Sequence, residues 1–133
     1  MRVLYGLLCE DADSRPDGRL DARGVFHQLY APGFPAKQDH MMLAAALEWN
    51  EGESGKKDFR IDLLDPSGSP TMTVSGHSDV TPTPAGEAPA QTRLVMPLEG
   101  VVFPAPGTYL FQLHVGDVVE LLCPLHLVEN PDA

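Results

Sequence analysis

The fold class follows from residues 109–127, which read YLFQLHVGDVVELLCPLHL. From Tyr109 to Val115 the apolar side chains fall on every second residue, which is the period of a half-buried β-strand. Gly116 and Asp117 then form a two-residue hairpin turn with glycine first. The chain alternates again after the turn, and both of its faces are rather apolar, which predicts a strand inside a sheet.

Strand patterns also fill most of the chain before this hairpin. Residues 59–64 alternate clearly, and residues 65–68 then carry the residue types that type I turns prefer. Glycines interrupt two longer apolar stretches, which predicts a bend near Gly24 and a kink past Gly100. Residues 10–18 are interpreted as a polar turn. The other predicted strands are residues 2–9, 19–30, 70–78 and 91–103.

Residues 40–49 are ambiguous, because their alanines and methionines favour helix locally. The run is short for a stable helix, and strand patterns lie on both sides of it. We therefore predict a central strand here, with a short helix as the alternative.

The chain as a whole is predicted to be one all-β domain over residues 1–133. Seven or eight short strands, separated by many of the 13 prolines and 12 glycines, favour a sandwich or a barrel. Uneven strands and several kinks favour an antiparallel, Ig-like or Greek-key β-sandwich. Residues 79–90 contain three prolines and are predicted to form an extended loop.

A structural role is predicted for Gly107 and Tyr109. A glycine two residues before a tyrosine at a strand start is typical of the tyrosine corner of sandwich domains. We expect the tyrosine ring to pack in the core and the hydroxyl to bond a backbone group a few residues upstream. Tyr109 is therefore interpreted as a structural residue and not as a catalytic acid.

The charge balance excludes two classes of partner. The formal net charge is −10, from 9 basic and 19 acidic residues, and no Lys or Arg follows Arg93. Binding to nucleic acid or to an anionic membrane surface needs clustered positive charge. We therefore expect neither partner, and we interpret the acidic surface as a source of solubility.

A cytoplasmic location is expected from the apolar segments. Residues 3–9 make a short run for a signal peptide, and acidic residues follow it in place of a cleavage site, so a buried strand explains it better. No run approaches the length of a membrane span. Cys9 and Cys123 each lie within an apolar run and are interpreted as buried free thiols.

Three groups of turn and core residues carry a resemblance to a known family. They are residues 8–11 with 18–20 and 24–26, residues 30–36, and residues 65–68 with 102–109. With these groups the chain resembles an uncharacterised family of small bacterial proteins. Because each group is a turn or core signature, the resemblance implies a β-sandwich fold and no particular chemistry.

The motifs predict no catalytic, cofactor or metal site. None of the five histidines lies two to five residues from another, and Cys123 and His126 are predicted to face opposite sides of one strand. The acidic residues from Asp11 onward do not match a calcium loop, because Arg15 and Pro16 stand at its fifth and sixth positions. Buried thiols are poor nucleophiles, and the chain has no serine elbow or phosphate loop. We therefore expect no enzyme activity and no cofactor.

The leading functional hypothesis is a non-enzymatic protein–protein interaction or assembly module with an unidentified protein partner. Phe34, which lies between Pro32 and Pro35, is either an exposed aromatic anchor or a plug over the open end of the sandwich, and we favour the plug. An unpaired edge strand could bind a partner strand or form a homo-oligomer. The alternatives are a small-ligand or metal-binding sandwich with a site built from distant strands, and an enzyme with an unrecognised site.

Overall fold

All regular structure in this protein is β-strand. The structure, a computed structural model, describes all 133 residues and contains ten strands. It has no helix long and apolar enough to cross a membrane. The all-β class predicted from the sequence is confirmed. The strands are β1 (Arg2–Cys9), β2 (Asp11–Ser14), β3 (Leu20–Arg23), β4 (Gln28–Ala31), β5 (Ala36–Glu48), β6 (Gly55–Leu64), β7 (Pro70–Val80), β8 (Gln91–Phe103), β9 (Gly107–Val115) and β10 (Val118–Glu129).

The strands form three sheets. One sheet has the order β1-β5-β8, a larger one has the order β4-β10-β9-β6-β7, and β2 and β3 make a separate hairpin. Neighbouring strands are antiparallel except β4 and β10, which run parallel. The two larger sheets share one hydrophobic core of 20 buried residues, whose largest side chains are Tyr109, Phe103 and Phe111.

The predicted count of seven or eight strands is wrong, because two segments fold differently. Residues 19–30 form two strands, since Gly24 has a φ of 65° and turns the chain between β3 and β4. Residues 10–18 contain β2 as well as a turn, and Asp11 pairs with Arg23 across the β2–β3 hairpin. The pairing is mostly antiparallel, as expected, and the one exception is β4, which joins β10 in the parallel direction.

The ambiguous segment at residues 40–49 belongs largely to strand β5, as predicted. β5 pairs along its length with β8 and over its second half with β1. Ala44 and Ala45 point to opposite faces, yet neither has any exposed surface. Ala45 lies in the core, whereas Ala44 is buried on the opposite face of the strand. Backbone pairing and burial on both faces outweigh the helix propensity of alanine.

Two predicted turns are present. In residues 65–68, the Gly68 amide donates a 2.8 Å hydrogen bond to the Asp65 carbonyl and closes the turn. Gly116 has a φ of 55°, and no non-glycine residue has a positive φ, as expected for a two-residue turn with glycine first. The predicted proline-rich loop begins after β7 and covers residues 81–90.

The two larger sheets meet along one side through backbone atoms of β1 and β10. A Cβ placed on Gly6 would lie 2.3 Å from the carbonyl oxygen of Leu122, so no side chain fits at position 6. Glycine is required at this point by the close approach of another strand. We call this contact the main-chain junction.

On the other side the two sheets meet through side chains of β7 and β8. The hydroxyl oxygens of Ser78 and Thr92 lie 2.7 Å apart. Thr92 Oγ1 also accepts a 2.8 Å hydrogen bond from the indole N–H of the buried Trp49, which follows β5. We call this group the hydroxyl junction.

Candidate interaction surface

Strand β10 is covered on one of its two sides over only part of its length. β9 pairs with β10 from Val118 to Leu127. On the opposite side, β4 pairs only with residues 126–129, and β1 approaches at Leu122 without pairing. Residues 118–121 therefore have a hydrogen-bonded strand neighbour on one side only, and we call them the β10 edge.

The β10 edge carries exposed apolar side chains. Val118, Val119 and Leu121 are 40%, 49% and 51% exposed, and they are three of only seven large hydrophobic residues exposed in the whole protein. Single apolar residues are ordinary on a surface, but a contiguous group is typical of a binding surface. Asp117 and Glu120, both exposed, add negative charge at the same place.

A buried carboxylate lies two strands away on the same face of the sheet. Asp62 in β6 is 7% exposed and is the only buried charged residue. It pairs with Gln112 in β9, which pairs with Leu121 in β10. Directly paired residues share a face, so Asp62 and Leu121 both lie on the face that points away from the core.

Side chains from three strands surround Asp62. Thr73 Oγ1 donates a 2.8 Å hydrogen bond to Oδ1, and Arg60 Nε donates a 3.2 Å hydrogen bond to Oδ2. His114 Nε2 lies 3.3 Å from Oδ2 but is not aligned for a hydrogen bond, so this buried nitrogen has no partner.

Phe34, for which an anchor and a plug were both considered, lies near the other end of β10. Phe34 is partly buried and packs against the core, whereas Pro32 and Pro35 are exposed. Beside this segment the Asn130 amide, just after β10, donates a 2.8 Å hydrogen bond to the Ala31 carbonyl. Both interpretations of this segment, the plug and the partner-binding anchor, stay predictions.

Tyr109 and Gly107 lie where the chain passes from β8 to β9. The buried Tyr109 hydroxyl donates a 2.7 Å hydrogen bond to the Ala105 carbonyl, so the predicted bond to the upstream backbone is present. The tyrosine ring packs edge to face on Phe103, with the ring centroids 5.1 Å apart. Gly107 has a φ of 132°, and a Cβ there would lie 2.8 Å from Pro66. The effect of either residue on stability stays a prediction.

Both cysteines are buried and unpaired. Burial raises the pKa of the Cys9 thiol and raises the pKa of the Cys123 thiol to about 12. Both thiols therefore keep their protons at neutral pH, and a protonated thiol is a poor nucleophile and a poor metal ligand.

The five histidines do not converge on one site. The rings of His27 and His126 are 6.4 Å apart, and His40 instead lies 2.7 Å from a carboxylate oxygen of Glu99. His126 Nδ1 lies 3.0 Å from the Thr108 hydroxyl, whereas the side chain of Cys123 lies in the core. No group of three or more His, Cys, Asp or Glu side chains is arranged to hold a metal ion.

Sequence analysis missed both the β10 edge and the group around Asp62. The apolar residues on both faces of β10 were interpreted as the sign of an interior strand. β10 does lie between β4 and β9, but β4 is too short to cover Val118 and Val119. Asp62 has no local signal, because Thr73 and His114 belong to other strands and meet it only through the sheet register.

Comparison with known proteins gives a family and no function. No curated protein matches the chain in sequence. A family model matches residues 4–128, which include the β10 edge, Asp62 and Tyr109. Because this match covers nearly the whole chain, the protein belongs to DUF6941, a family of unknown function.

Proposed function

We propose that this protein is a non-enzymatic interaction module that binds an extended segment of a protein partner along the β10 edge. The observation that carries the proposal is an apolar, exposed stretch at residues 118–121 with a strand neighbour on one side only. An added strand would supply hydrogen-bond partners for the open backbone groups and cover the side chains of Val119 and Leu121.

The charges around the β10 edge favour a basic partner segment. Asp117 and Glu120 lie at the edge, no Lys or Arg follows Arg93, and the whole chain has a formal net charge of −10. A segment that alternates apolar residues with Lys or Arg would cover Val119 and Leu121 on one face and would complement Glu120 on the other.

Another long open edge, strand β7, is a weaker candidate. β7 has only β6 as a hydrogen-bonded neighbour, so its backbone is also open on one side. Its exposed side chains are mostly hydroxyls, a histidine and an acid, which offer a partner little apolar surface to bury. They are Pro70, Thr71, Thr73, Ser75, His77 and Asp79.

A second copy of this chain is also a weaker candidate for the β10 edge. Two copies paired along this edge would bring Asp117 and Glu120 of one close to the same residues of the other, and like charges facing across strands destabilise a pair. We therefore expect sedimentation equilibrium to give a monomer. A dimer that dissociates in the Leu121→Lys variant would assign the edge to self-assembly instead.

The proposal is tested by selecting binders from a phage-displayed library of random short peptides and measuring their affinities as synthetic peptides. We expect the selected peptides to alternate apolar and basic residues and to slow hydrogen exchange at residues 118–121. The variant Leu121→Lys should weaken their binding about tenfold or more, because it removes apolar contact and adds repulsion.

Val102→Lys is the matched control for this experiment. Val102 is 52% exposed on β8, so the change removes a similar amount of apolar surface from another edge strand. Binding should survive this change. Peptides that bind Leu121→Lys as tightly as the unaltered protein would contradict the proposal.

Three finer assignments belong to the same proposal. The sharing of one core by the two larger sheets, together with the hydroxyl bond of Tyr109, supports a β-sandwich related to Ig-like and Greek-key domains. Two buried, unpaired cysteines fit a reducing compartment such as the cytoplasm. The raised pKa values of both thiols support a non-enzymatic role.

A further inference from the structure

A cleft opens where the β2–β3 hairpin lies over the three-stranded sheet. Its volume is about 620 Å³, which suits a small organic molecule. Tyr5 and Leu7 of β1 and Leu20 of β3 give it apolar walls. Arg93 of β8 also lines the cleft.

Arg93 is the only arginine of this protein without a carboxylate partner. Its Nη2 donates to the Gly18 carbonyl, but its Nε is buried and has no acceptor. The chain has 19 acidic residues, and none of them is placed against this guanidinium. The arginines that pair with carboxylates are Arg2, Arg15, Arg19, Arg23 and Arg60.

The Arg93 side chain is half-buried, and its one buried N–H without an acceptor costs folding free energy. Burying a charge is unfavourable unless an opposite charge and hydrogen bonds replace its hydration. Gly18 supplies one neutral carbonyl oxygen to Arg93 and leaves the Nε proton without an acceptor. An anion that reached the guanidinium from the cleft would supply the acceptor that the Nε proton lacks.

We infer that the cleft binds a small organic carboxylate with an apolar body. A planar carboxylate matches the fork of the Arg93 guanidinium and forms two charge-assisted hydrogen bonds with it. The apolar part of the ligand lies against Tyr5, Leu7 and Leu20. A carboxylate is favoured over a phosphate, because the walls are apolar and the other two arginines of the cleft, Arg15 and Arg19, already pair with carboxylates.

The ligand enters with an outward movement of the hairpin turn at residues 15–19. Arg93 Nε is shielded from solvent, and the Gly18 carbonyl occupies the place of one carboxylate oxygen. Gly18 is exposed, and a Cβ placed on it would contact no atom within 4 Å, so the outward path of the turn is open. Binding thus exchanges a neutral carbonyl for an ionised oxygen at the same guanidinium.

The test follows the Arg93 Nε–H and the Gly18 amide by NMR in the full chain while sodium benzoate replaces sodium chloride at constant ionic strength. We expect both signals to shift in a saturable way, together with the methyl groups of Leu7 and Leu20. Acetate, which lacks the ring, should bind about tenfold more weakly. Benzamide, which has the ring without the charge, should shift neither Arg93 nor Gly18.

Two variants separate the guanidinium from general effects of charge. Arg93→Lys keeps the charge and loses the fork, so benzoate affinity should fall about tenfold. Arg93→Gln should abolish the saturable shifts. Arg2→Gln is the control, because Arg2 is exposed and already pairs with Glu48, and benzoate binding should not change.

Two results would overturn the inference. One is the absence of a saturable benzoate shift at Arg93. The other is an equal response to benzoate, acetate and inorganic phosphate, which would indicate an adventitious ion only. If both Arg93 variants fail to fold, the comparison of benzoate with benzamide on the unaltered protein decides the question alone.

Discussion

The main-chain junction and the hydroxyl junction hold the same two sheets together with different groups. At the main-chain junction, the backbone of Gly6 lies against the carbonyl of Leu122, with no space for one more carbon atom. At the hydroxyl junction, Ser78, Thr92 and Trp49 share hydrogen bonds through side chains. We therefore expect a side chain added at Gly6 to be strongly destabilising. At the hydroxyl junction, Thr92 should keep its hydrogen bond to Trp49 when the Ser78 hydroxyl is removed.

The main-chain junction also sets the limit of the β10 edge. Strand β1 lies against β10 at Leu122, so the open stretch ends at residue 121. At the hydroxyl junction no comparable backbone contact forms, and β7 keeps an open backbone side along its length. The position of the proposed binding surface therefore depends on where two sheets come close enough to exclude side chains.

The largest effect is expected for Gly6→Ala, which breaks the main-chain junction. The new Cβ would lie 2.3 Å from the Leu122 carbonyl oxygen, so β1 and β10 must move apart. We expect the free energy of unfolding to fall by about 3 kcal/mol in urea titrations, at the upper end for overpacking.

Gly33→Ala is the control for that change. Position 33 has space for a Cβ, with no atom within 4 Å, and its φ is not in the left-handed region. It should change the free energy of unfolding by less than about 0.5 kcal/mol. Equal effects of the two substitutions would mean that the close approach of β1 and β10 does not constrain the fold.

A smaller effect is expected for Thr92→Val, which breaks the hydroxyl junction. Valine keeps the shape of threonine but leaves the buried Trp49 N–H without an acceptor. We expect a loss of about 2 kcal/mol in the same urea titrations, since unsatisfied buried donors are costly. Ser78→Ala should cost only about 0.5 kcal/mol, because Thr92 can still accept from Trp49. A larger cost for Ser78→Ala than for Thr92→Val would reverse our account of this junction.

Tyr109→Phe tests a third connection between the two larger sheets, at the point where the chain passes from β8 to β9. The substitution keeps the ring on Phe103 and removes a hydroxyl that bonds both the carbonyl and the amide of Ala105. We expect thermal and urea unfolding to give a loss of about 1 kcal/mol or somewhat more. No loss would reject the structural role of this hydroxyl.

The smallest effect at neutral pH concerns the thiol of Cys123, which follows Leu122 at the main-chain junction. Burial raises its pKa from 9.0 to about 12. The folded state therefore holds this proton more tightly than the unfolded state, so the contribution is fully present below pH 9 and is lost as pH rises towards 12. Unfolding measured across this range should show a shallower loss of stability in Cys123→Ala. Parallel curves for the two proteins would contradict this.

The sequence predicted elements well and junctions poorly, for a physical reason. Alternation is a local property, so the strands around Phe59 and Tyr109 could be recognised from their own residues. Gly6 looked like an ordinary residue in an apolar strand, because the Leu122 carbonyl that requires it lies more than a hundred positions away. The group around Asp62 and the open cleft at Arg93 were missed in the same way, since each forms only when distant strands come into register.

The split of residues 19–30 is a different case. Gly24 gave a local signal in the sequence, but it was interpreted as a bend within one strand and not as a break between two strands. In the structure β3 ends just before Gly24, and the left-handed backbone of Gly24 turns the chain so that β4 joins the five-stranded sheet. A glycine in a strand pattern predicts an irregularity, whereas the angle through which the chain turns depends on which sheet accepts the next strand.

Strand β10 lies between β4, from the first quarter of the chain, and β9, which directly precedes it. A chain leaving the ribosome therefore cannot finish its five-stranded sheet until residue 129 has been synthesised. Pairings between such distant segments form slowly, because a long loop must close before they contribute. Throughout that interval the partly built sheet exposes apolar surface to the solvent, and chaperones bind to surfaces of this kind.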